Sequence, residues 1–585
     1  MAPDAVIRAR LHAALDGYMK TTVKPGAPGV LVALARRGRM IFLKGYGLAS
    51  IARREPWSAR TVHQIASVSK QFAAFCIFLL EKERKLKLND DVRKYVPELP
   101  RYGRPIRIRH LIYHTSGLRS FDQLFAAAGR FPLGDDPSEV LEWMAAQREL
   151  QEPTGTAYRY CNTGYFLLAR IVERVSGMPY HEFAARRIFR PLGMKHTFVR
   201  NRARIDTPLH SVGYSRGPNG RLLAHPGGGM GGRGCVGASE VQTTAPDLVK
   251  WADNFRHGRV GGPAILRAMH RPGRLGNGKI VDLSEGKKEA TYAGGLCLAP
   301  INGWEFCSHG GGIPGYRSLL VRVRSNDLTF VLFMNEDTFN LGPLVDRVQS
   351  VVAIHPPYPD TPAFTPDHPV KPNRELEIMR LREADLRRYE GVYRPVKEKD
   401  DRWAVTAAGG RLQVTAQWGT IALAPIKRHG FIGVGQHSDS EFWFRMSPTG
   451  RPTGMYEVKG GKPLKDLVVV LLPEQVRGGL LRALSGAYDS AEIRSRFRLK
   501  PGRWWLTAVG PRLEPGLRQL WPGGTGHLRG RQSFRYYPGN RDGAAWFSEE
   551  RSTMAFTRRR GRVTGLTWKR PRFGYGLTRL KLLRS

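Results

Sequence analysis

Two side chains of complementary chemistry stand three residues apart at Ser67-Val68-Ser69-Lys70, between a polar approach (61–66) and the apolar run Gln71-Phe-Ala-Ala-Phe-Cys-Ile-Phe-Leu-Leu80. On a helix that begins there, positions i and i+3 share a face, so the spacing sets a hydroxyl beside an amine. A nucleophile next to a base is the equipment of acyl transfer. The free N–H groups at a helix start would favour both the serine alkoxide and the oxyanion it creates. An N-cap serine followed by a surface lysine gives the same four letters, so the pair needs partners elsewhere in the chain.

Two stretches offer them. Tyr160-Cys161-Asn162, at a loop-to-helix junction, supplies a phenol that can accept or relay a proton and an amide that can hold a substrate carbonyl. A phenol beside an ammonium can have its pKa lowered toward that role. His309-Gly310-Gly311-Gly312 lies on a predicted strand, where Gly311 and its neighbours would let a substrate lie along the edge as an added strand. The Gly312 N–H would then form the oxyanion hole with the Ser67 N–H. Taken singly, Tyr160 reads as a core aromatic, Asn162 as a helix cap and His309 as a strand-end histidine. The order S-x-x-K, Y-x-N, H-G-G, each on the element expected for it, favours the joint catalytic reading.

The elements that must position these groups follow from periodicity. An N-terminal helix precedes a hairpin of Pro28–Ala35 and Met40–Gly47, and strands then lead into the Ser67 helix. Helical stretches are predicted at 90–97, 109–118 and 137–146, followed by an amphipathic helix over Tyr165–Val175 ended by Ser176-Gly177. Strands over 293–299, 304–316, 317–323 and 328–334, with a helix over 341–352, complete an α+β plan in which terminal strands meet in one sheet. The glycine-dense segment 227–237 lacks the G-K-[ST] ending of a phosphate loop and reads as a structural loop near the site.

The expected domains are a catalytic domain over 1–355, a proline-rich linker over 356–380 and two small antiparallel β-barrels over 381–475 and 476–585. The barrels rest on an internal repeat. Leu386-Arg-Arg-Tyr-Glu-Gly-Val-Tyr393 matches Leu481-Arg-Ala-Leu-Ser-Gly-Ala-Tyr488, Gly450-Arg-Pro-Thr-Gly-Met455 matches Gly561-Arg-Val-Thr-Gly-Leu566, and 410–416 has a looser counterpart in 502–508.

Hydrophobic content of 41% and charged content of 24% are those of a globular protein. With no apolar run long enough for a membrane span and no signal-like N-terminus, a cytoplasmic location is expected. The five cysteines are scattered and read as free thiols, with no metal or other cofactor expected. A net charge of +43 invites a polyanion. Arginine is nevertheless spread along the whole chain, its one dense cluster, Arg558–Arg562, falls in a predicted hairpin, and no nucleic-acid motif is present.

On these motifs, residues 1 to about 355 resemble the penicillin-recognising serine hydrolases: class C β-lactamases, DD-peptidases, esterases and D-aminopeptidases. The resemblance implies Ser67 as the acylated nucleophile, Lys70 and Tyr160 as acid/base partners, Asn162 as a substrate-amide ligand and His309 in place of the family's K-T-G lysine. Ser67-Val-Ser-Lys-Gln-Phe72, Tyr160-Cys-Asn162, Arg187-Ile-Phe-Arg-Pro-Leu-Gly-Met194 and the plan of a hydrolase followed by two barrels look most like the D-aminopeptidase branch. In that branch a loop of the last barrel helps select a free amino terminus. The positional match is 509–518, where Glu514 is the candidate ammonium partner beside Arg512 and Arg518.

The expected substrate is a short peptide or amide with an N-terminal D-residue or glycine, with an ester or β-lactam substrate as the alternative. A homodimer is the expected assembly, and neither a specific nucleic acid nor a membrane is an expected partner. A reading of another class, a non-catalytic protein binding polyanions through basic barrels, predicts salt-dependent retention on heparin that survives Ser67→Ala.

Overall fold

Ile7, Leu11, Leu15 and Met19 recur every four residues, and the chain coils there into α1 (Asp4–Thr22), with that stripe buried on one face of a sheet. The computed structural model describes residues 4–127, 137–201, 207–216, 221–225, 236–283, 290–301, 304–336, 344–345, 347–348, 351, 381–395, 403–408, 411–416, 419–427, 429–433, 440–459, 462–471, 486–490, 495–501, 505–509, 532–536, 545–547, 553–559, 562–569 and 579–584. One compact unit is built mainly on the chain up to residue 359, and a second carries the strands from 391 onward. The proline-rich stretch predicted as a linker lies outside the described residues.

In the first unit β1 (Val30–Arg36) and β2 (Arg39–Tyr46) form a hairpin that turns through Arg37 and Gly38, both at positive φ. The turn Ala66–Ser69 leads into α2 (Lys70–Lys82), and α3 (Asn162–Ser176), α4 (Ala245–His257) and α5 (Gly262–Met269) follow. Five late strands, β3 (Thr291–Tyr292), β4 (Cys297–Ile301), β5 (Trp304–Ile313), β6 (Tyr316–Val323) and β7 (Leu328–Met334), complete the sheet. Its order is β3-β4-β5-β6-β7-β1-β2, so the early hairpin joins antiparallel to the last strand, with Val30 opposite Met334 and Arg36 opposite Leu328.

The hydrophobic pattern explains the layers. Every residue from Val30 to Ala35 is buried, the mark of a strand covered on both faces. Val30, Val32 and Leu34 pack with α1, Phe330, Leu332 and Met334. Residues 70–80 are buried without exception, and from Phe72 to Leu80 α2 is apolar all round because it runs through the core. Each large side chain buried there contributes about 1.5–3 kcal/mol.

Three predicted helices differ in extent, and the stretch expected over 90–97 holds only a 3-10 turn, Val92–Lys94. The helix expected over 109–118 closes at Ile112, because His114 and Gly117 take positive φ (+56° and +76°) and turn the chain out of helical geometry. The amphipathic helix begins three residues early, at Asn162, with Cys161 as N-cap, and ends on Gly177 at φ +69° as predicted. Of the helix expected over 341–352, residues 344–345, 347–348 and 351 are described, and all are helical.

In the second unit two eight-stranded antiparallel sheets each close into a barrel. Gly391–Pro395 pairs with both Trp403–Ala408 and Lys462–Leu471, and Gly486–Ser490 pairs with both Ser495–Pro501 and Arg579–Arg584. The repeated motifs hold equivalent places. Gly391-Val-Tyr393 and Gly486-Ala-Tyr488 open the first strands, Arg411–Ala416 and Trp505–Val509 are third strands, and Pro452–Lys459 and Arg562–Lys569 are seventh strands. The arginine cluster sits on the predicted hairpin, with Arg559 paired to Arg562. Among the described residues, no helix is long and apolar enough to cross a membrane.

Candidate active site

Ser67 sits in a single 3-10 turn, Ala66–Ser69, set ahead of α2 rather than inside its first α-turn. That turn is tight. Residues three apart eclipse one another in 3-10 geometry, and Lys70 Nζ lies 3.1 Å from Ser67 Oγ. Ala66 enters the turn at φ +45°, strained for any residue with a Cβ. In 61–70 Ser67 alone is not fully buried, so the turn presents one hydroxyl outward from an otherwise sealed segment.

Three fixed contacts hold the turn. Ser69 Oγ accepts from the Val241 N–H at 3.1 Å, Ser318 Oγ on β6 donates to the Ile65 carbonyl at 2.7 Å, and Trp251 Nε1 donates to Gln71 Oε1 at 3.0 Å. Gly311 packs beneath it. A Cβ at Gly311 would fall 2.2 Å from Ile65 O and 2.3 Å from Ser318 Oγ, so this strand approaches the turn only because the residue is glycine. Gly311→Ala is expected to cost about 2–3 kcal/mol, the upper range for overpacking against backbone. Gly310, whose Cβ would meet its nearest atom at 3.9 Å, should accept alanine. Thermal melts of the two variants check the contrast, and equal melting temperatures would refute it.

Lys70 is fully buried, and its amine lies within hydrogen-bond distance of Ser67 Oγ, of Asn162 Oδ1 at 2.8 Å and of the Ala238 carbonyl at 3.0 Å. The last two only accept. A neutral amine would therefore give both its N–H groups to Asn162 and Ala238 and turn its lone pair to the Ser67 hydroxyl. Tyr160 lies across from it, half-buried, with its ring centroid 4.7 Å from Lys70 Nζ. Asn162 is the first residue of α3, not its cap. Its backbone N–H donates to Ser120 Oγ at 2.9 Å and its side chain is hydrogen-bonded to the buried Asp122 carboxyl. Both ends of the amide thus have partners within the protein, and its oxygen helps hold the Lys70 amine. Burial raises the pKa of Asp122, against hydrogen bonds from Ser120 and Asn162.

His309 is buried on β5, facing the same cluster. Its Nδ1 is 2.6 Å from the Gly310 carbonyl and its Nε2 is 3.1 Å from the Tyr292 hydroxyl. A carbonyl cannot donate, so Nδ1 carries the proton and Nε2 accepts from Tyr292. Burial, with Lys70 nearby, brings its pKa down to about 3. The ring is held neutral. Residues 309–313 run past the start of β4, whose pairing ends at Ser308, and are laddered to β6 with Gly312 opposite Arg317. Along this stretch β5 leaves an edge unpaired among the described strands.

Sequence reasoning missed His114, Tyr292, Ser120, Asp122 and Ala238. His114 Nδ1 accepts from the Cys161 N–H at 3.0 Å, and its ring packs 4.3 Å from Tyr160, 5.0 Å from Tyr165 and 4.7 Å from Tyr292. The strongest available signals were the turn-rich His114-Thr-Ser-Gly117 and the glycine segment that ends just before Ala238. Glu514, the other expected contributor, lies outside the described residues, as does most of the 227–237 loop. Cys76, Cys161, Cys297 and Cys307 are free thiols.

A family model described as Beta-lactamase matches residues 6–351. Penicillin-binding protein 4* of Bacillus subtilis (strain 168) is 30% identical over 328 residues, which cover 52% of this chain and 68% of that protein. A D-aminopeptidase of Gluconobacter oxydans (strain 621H) is 27% identical over 332 residues, covering 56% of this chain and 59% of the relative. The chain thus spans about three fifths of that relative's length. An octameric penicillin-binding protein homologue from Pyrococcus abyssi has the same fold, with a TM-score of 0.54 at 22% identity over 79% of this chain and 98% of that one.

Proposed function

The chain belongs to the beta-lactamase family of serine hydrolases, and on that premise we propose that it releases N-terminal D-residues or glycine from short peptides and amides through an acyl-enzyme on Ser67. In this mechanism neutral Lys70 takes the Ser67 proton as Oγ attacks the scissile carbonyl. The developing oxyanion is received by the N–H groups of Ser67 and Gly312. Lys70, with Tyr160 relaying, returns the proton to the leaving amine, and water then repeats the sequence in reverse to free the acid. Substrate backbone lies along the open edge at 309–313 as an added strand.

The observation that carries the substrate class is His309. A lysine in its place would draw the carboxylate of a penicillin or of a peptide C-terminus. A buried imidazole with both nitrogens engaged and a pKa near 3 offers no charge to such an anion. Nor does it repel the ammonium of a free amino terminus, for which Glu514 is the proposed partner.

The test is hydrolysis of D-alanine p-nitroanilide beside its L-enantiomer, p-nitrophenyl acetate and a chromogenic cephalosporin, each repeated with Ser67→Ala. Turnover of the D-anilide in preference to the other three, lost in the variant, is the expected result. Cleavage of the acetate or the cephalosporin alone would leave the nucleophile standing and refute the substrate class.

A further inference from the structure

We propose that a second site, formed by the end of α4, the helix α5 and the residues joining β6 to β7, binds a small phosphate ester. A cleft of about 340 Å³ there is lined by Arg256, His257, Arg267, His270 and Arg324, and no acidic residue lines it. Phe255, Pro263 and Leu266 add an apolar wall. An adjoining cavity of about 110 Å³ shares Phe255, Arg256 and Arg324 with the cleft and is also lined by Arg322, Asp253 and Asp327, the last two engaged with other cations.

Arg322 is the observation that asks for a ligand. Its side chain is 7% exposed, and its guanidinium sits 3.8 Å from the centre of the Phe255 ring. Of its five N–H donors, one meets an acceptor among the described residues: Nη2 donates to His270 Nε2 at 2.7 Å. Its buried Nε–H has no partner. His270 cannot neutralise it, since Nδ1 donates to the Leu266 carbonyl at 2.8 Å and leaves Nε2 as an acceptor on a neutral ring. Across the ladder Arg322 faces Cys307, whose thiol burial keeps protonated. No carboxylate pairs with Arg322 among the described residues. A guanidinium stays charged even here, where burial brings its pKa down to about 10. A buried cation whose Nε–H has no partner is costly unless an anion completes it.

The acids nearby do not fill that need. Asp253 is shared between Arg256 at 3.1 Å and His257 at 3.5 Å, Asp327 pairs with Arg37 at 3.3 Å, and Glu305 pairs with Arg324 at 3.0 Å on an exposed rim. Several guanidiniums converging on one cleft match the charge and forked geometry of a phosphate better than a single carboxylate. The cleft volume and its apolar wall fit a phosphate carrying a small organic group.

Isothermal titration of the full chain with phenyl phosphate, inorganic phosphate and phenylacetate tests the assignment. One equivalent of phenyl phosphate is expected to bind more tightly than the other two. Arg267→Ser/Arg324→Ser should weaken it at least tenfold while hydrolase activity and the circular dichroism spectrum are unchanged, and Arg322→Gln should weaken it too. Arg8→Ser/Arg10→Ser, on the exposed side of α1, removes the same charge elsewhere and should leave affinity intact. Binding of several equivalents, equal losses in the two double variants, or no effect of Arg267→Ser/Arg324→Ser would show nonspecific attraction to a basic protein and overturn the site.

Discussion

Ser67→Ala is expected to lower kcat/KM by about 10⁴-fold or more without changing the melting temperature, and Lys70→Met to lower it by a similar factor while also destabilising the fold. The difference follows from the hydrogen bonds. Removing Oγ takes away one neighbour of Lys70, which keeps Asn162 and Ala238. Removing the amine strips the Ala238 carbonyl and the Asn162 amide oxygen of a donor at a buried position, at about 1–3 kcal/mol for each group left unsatisfied. Because the two side chains act as one unit, the double variant should be hardly slower than either single variant. Losses that multiply would mean that Lys70 acts independently of Ser67, and the lone-pair arrangement would have to be abandoned.

The second large effect concerns acid. Five histidines, four of them buried and His270 half-buried, are held as neutral rings. Burial brings His63 and His309 down to about 3, His110 and His270 to about 4, and His114 well below its ordinary 6.5. In the unfolded chain each titrates near 6.5. Below that pH the unfolded chain takes up protons that the folded chain refuses, so stability falls as pH falls and levels off only near the folded values. Each histidine contributes a slope of about 1.4 kcal/mol per pH unit across that window. The paired carboxylates Glu83 and Glu98, held low by Arg187 and Arg174, act in the same direction below 4.5, whereas Asp122 opposes them. Against a typical net stability of about 5–15 kcal/mol, this should unfold the catalytic unit above about pH 4. Urea midpoints should be level between about pH 8 and pH 7 and drop steeply below 6.5. A midpoint unchanged down to about pH 4.5 would contradict the buried neutral state.

The same residues show what a sequence can reveal. Ser67, Lys70, Tyr160 and His309 were legible because their spacing is local and their types are rare in combination. Both barrels were legible because their repeats recur at equivalent strand positions. What stayed hidden was long-range. Nothing local indicates that the Asn162 amide oxygen is also taken by Lys70, 92 residues earlier. Ala238 acts through its carbonyl, which every residue has. His114 left the helical pattern through a positive φ, a conformation a histidine reveals only once its ring has found Tyr160 and Tyr292. Arg322 looked like any strand arginine until it proved to have no carboxylate partner among the described residues.

The sheet order also sets a timetable. β1 leaves the ribosome early, yet its partner β7 lies about 290 residues downstream. At about 5–20 residues per second the apolar strand Val30–Ala35 waits roughly a quarter of a minute to a minute for the neighbour that covers its second edge. During that interval the hairpin with β2 is the sole strand pairing open to it, and its exposed edge can template aggregation. The catalytic unit should therefore be slow to fold for its size and dependent on chaperones during synthesis. Joining its ends so that β7 is made next to β1 should speed refolding while leaving the Ser67 turn untouched.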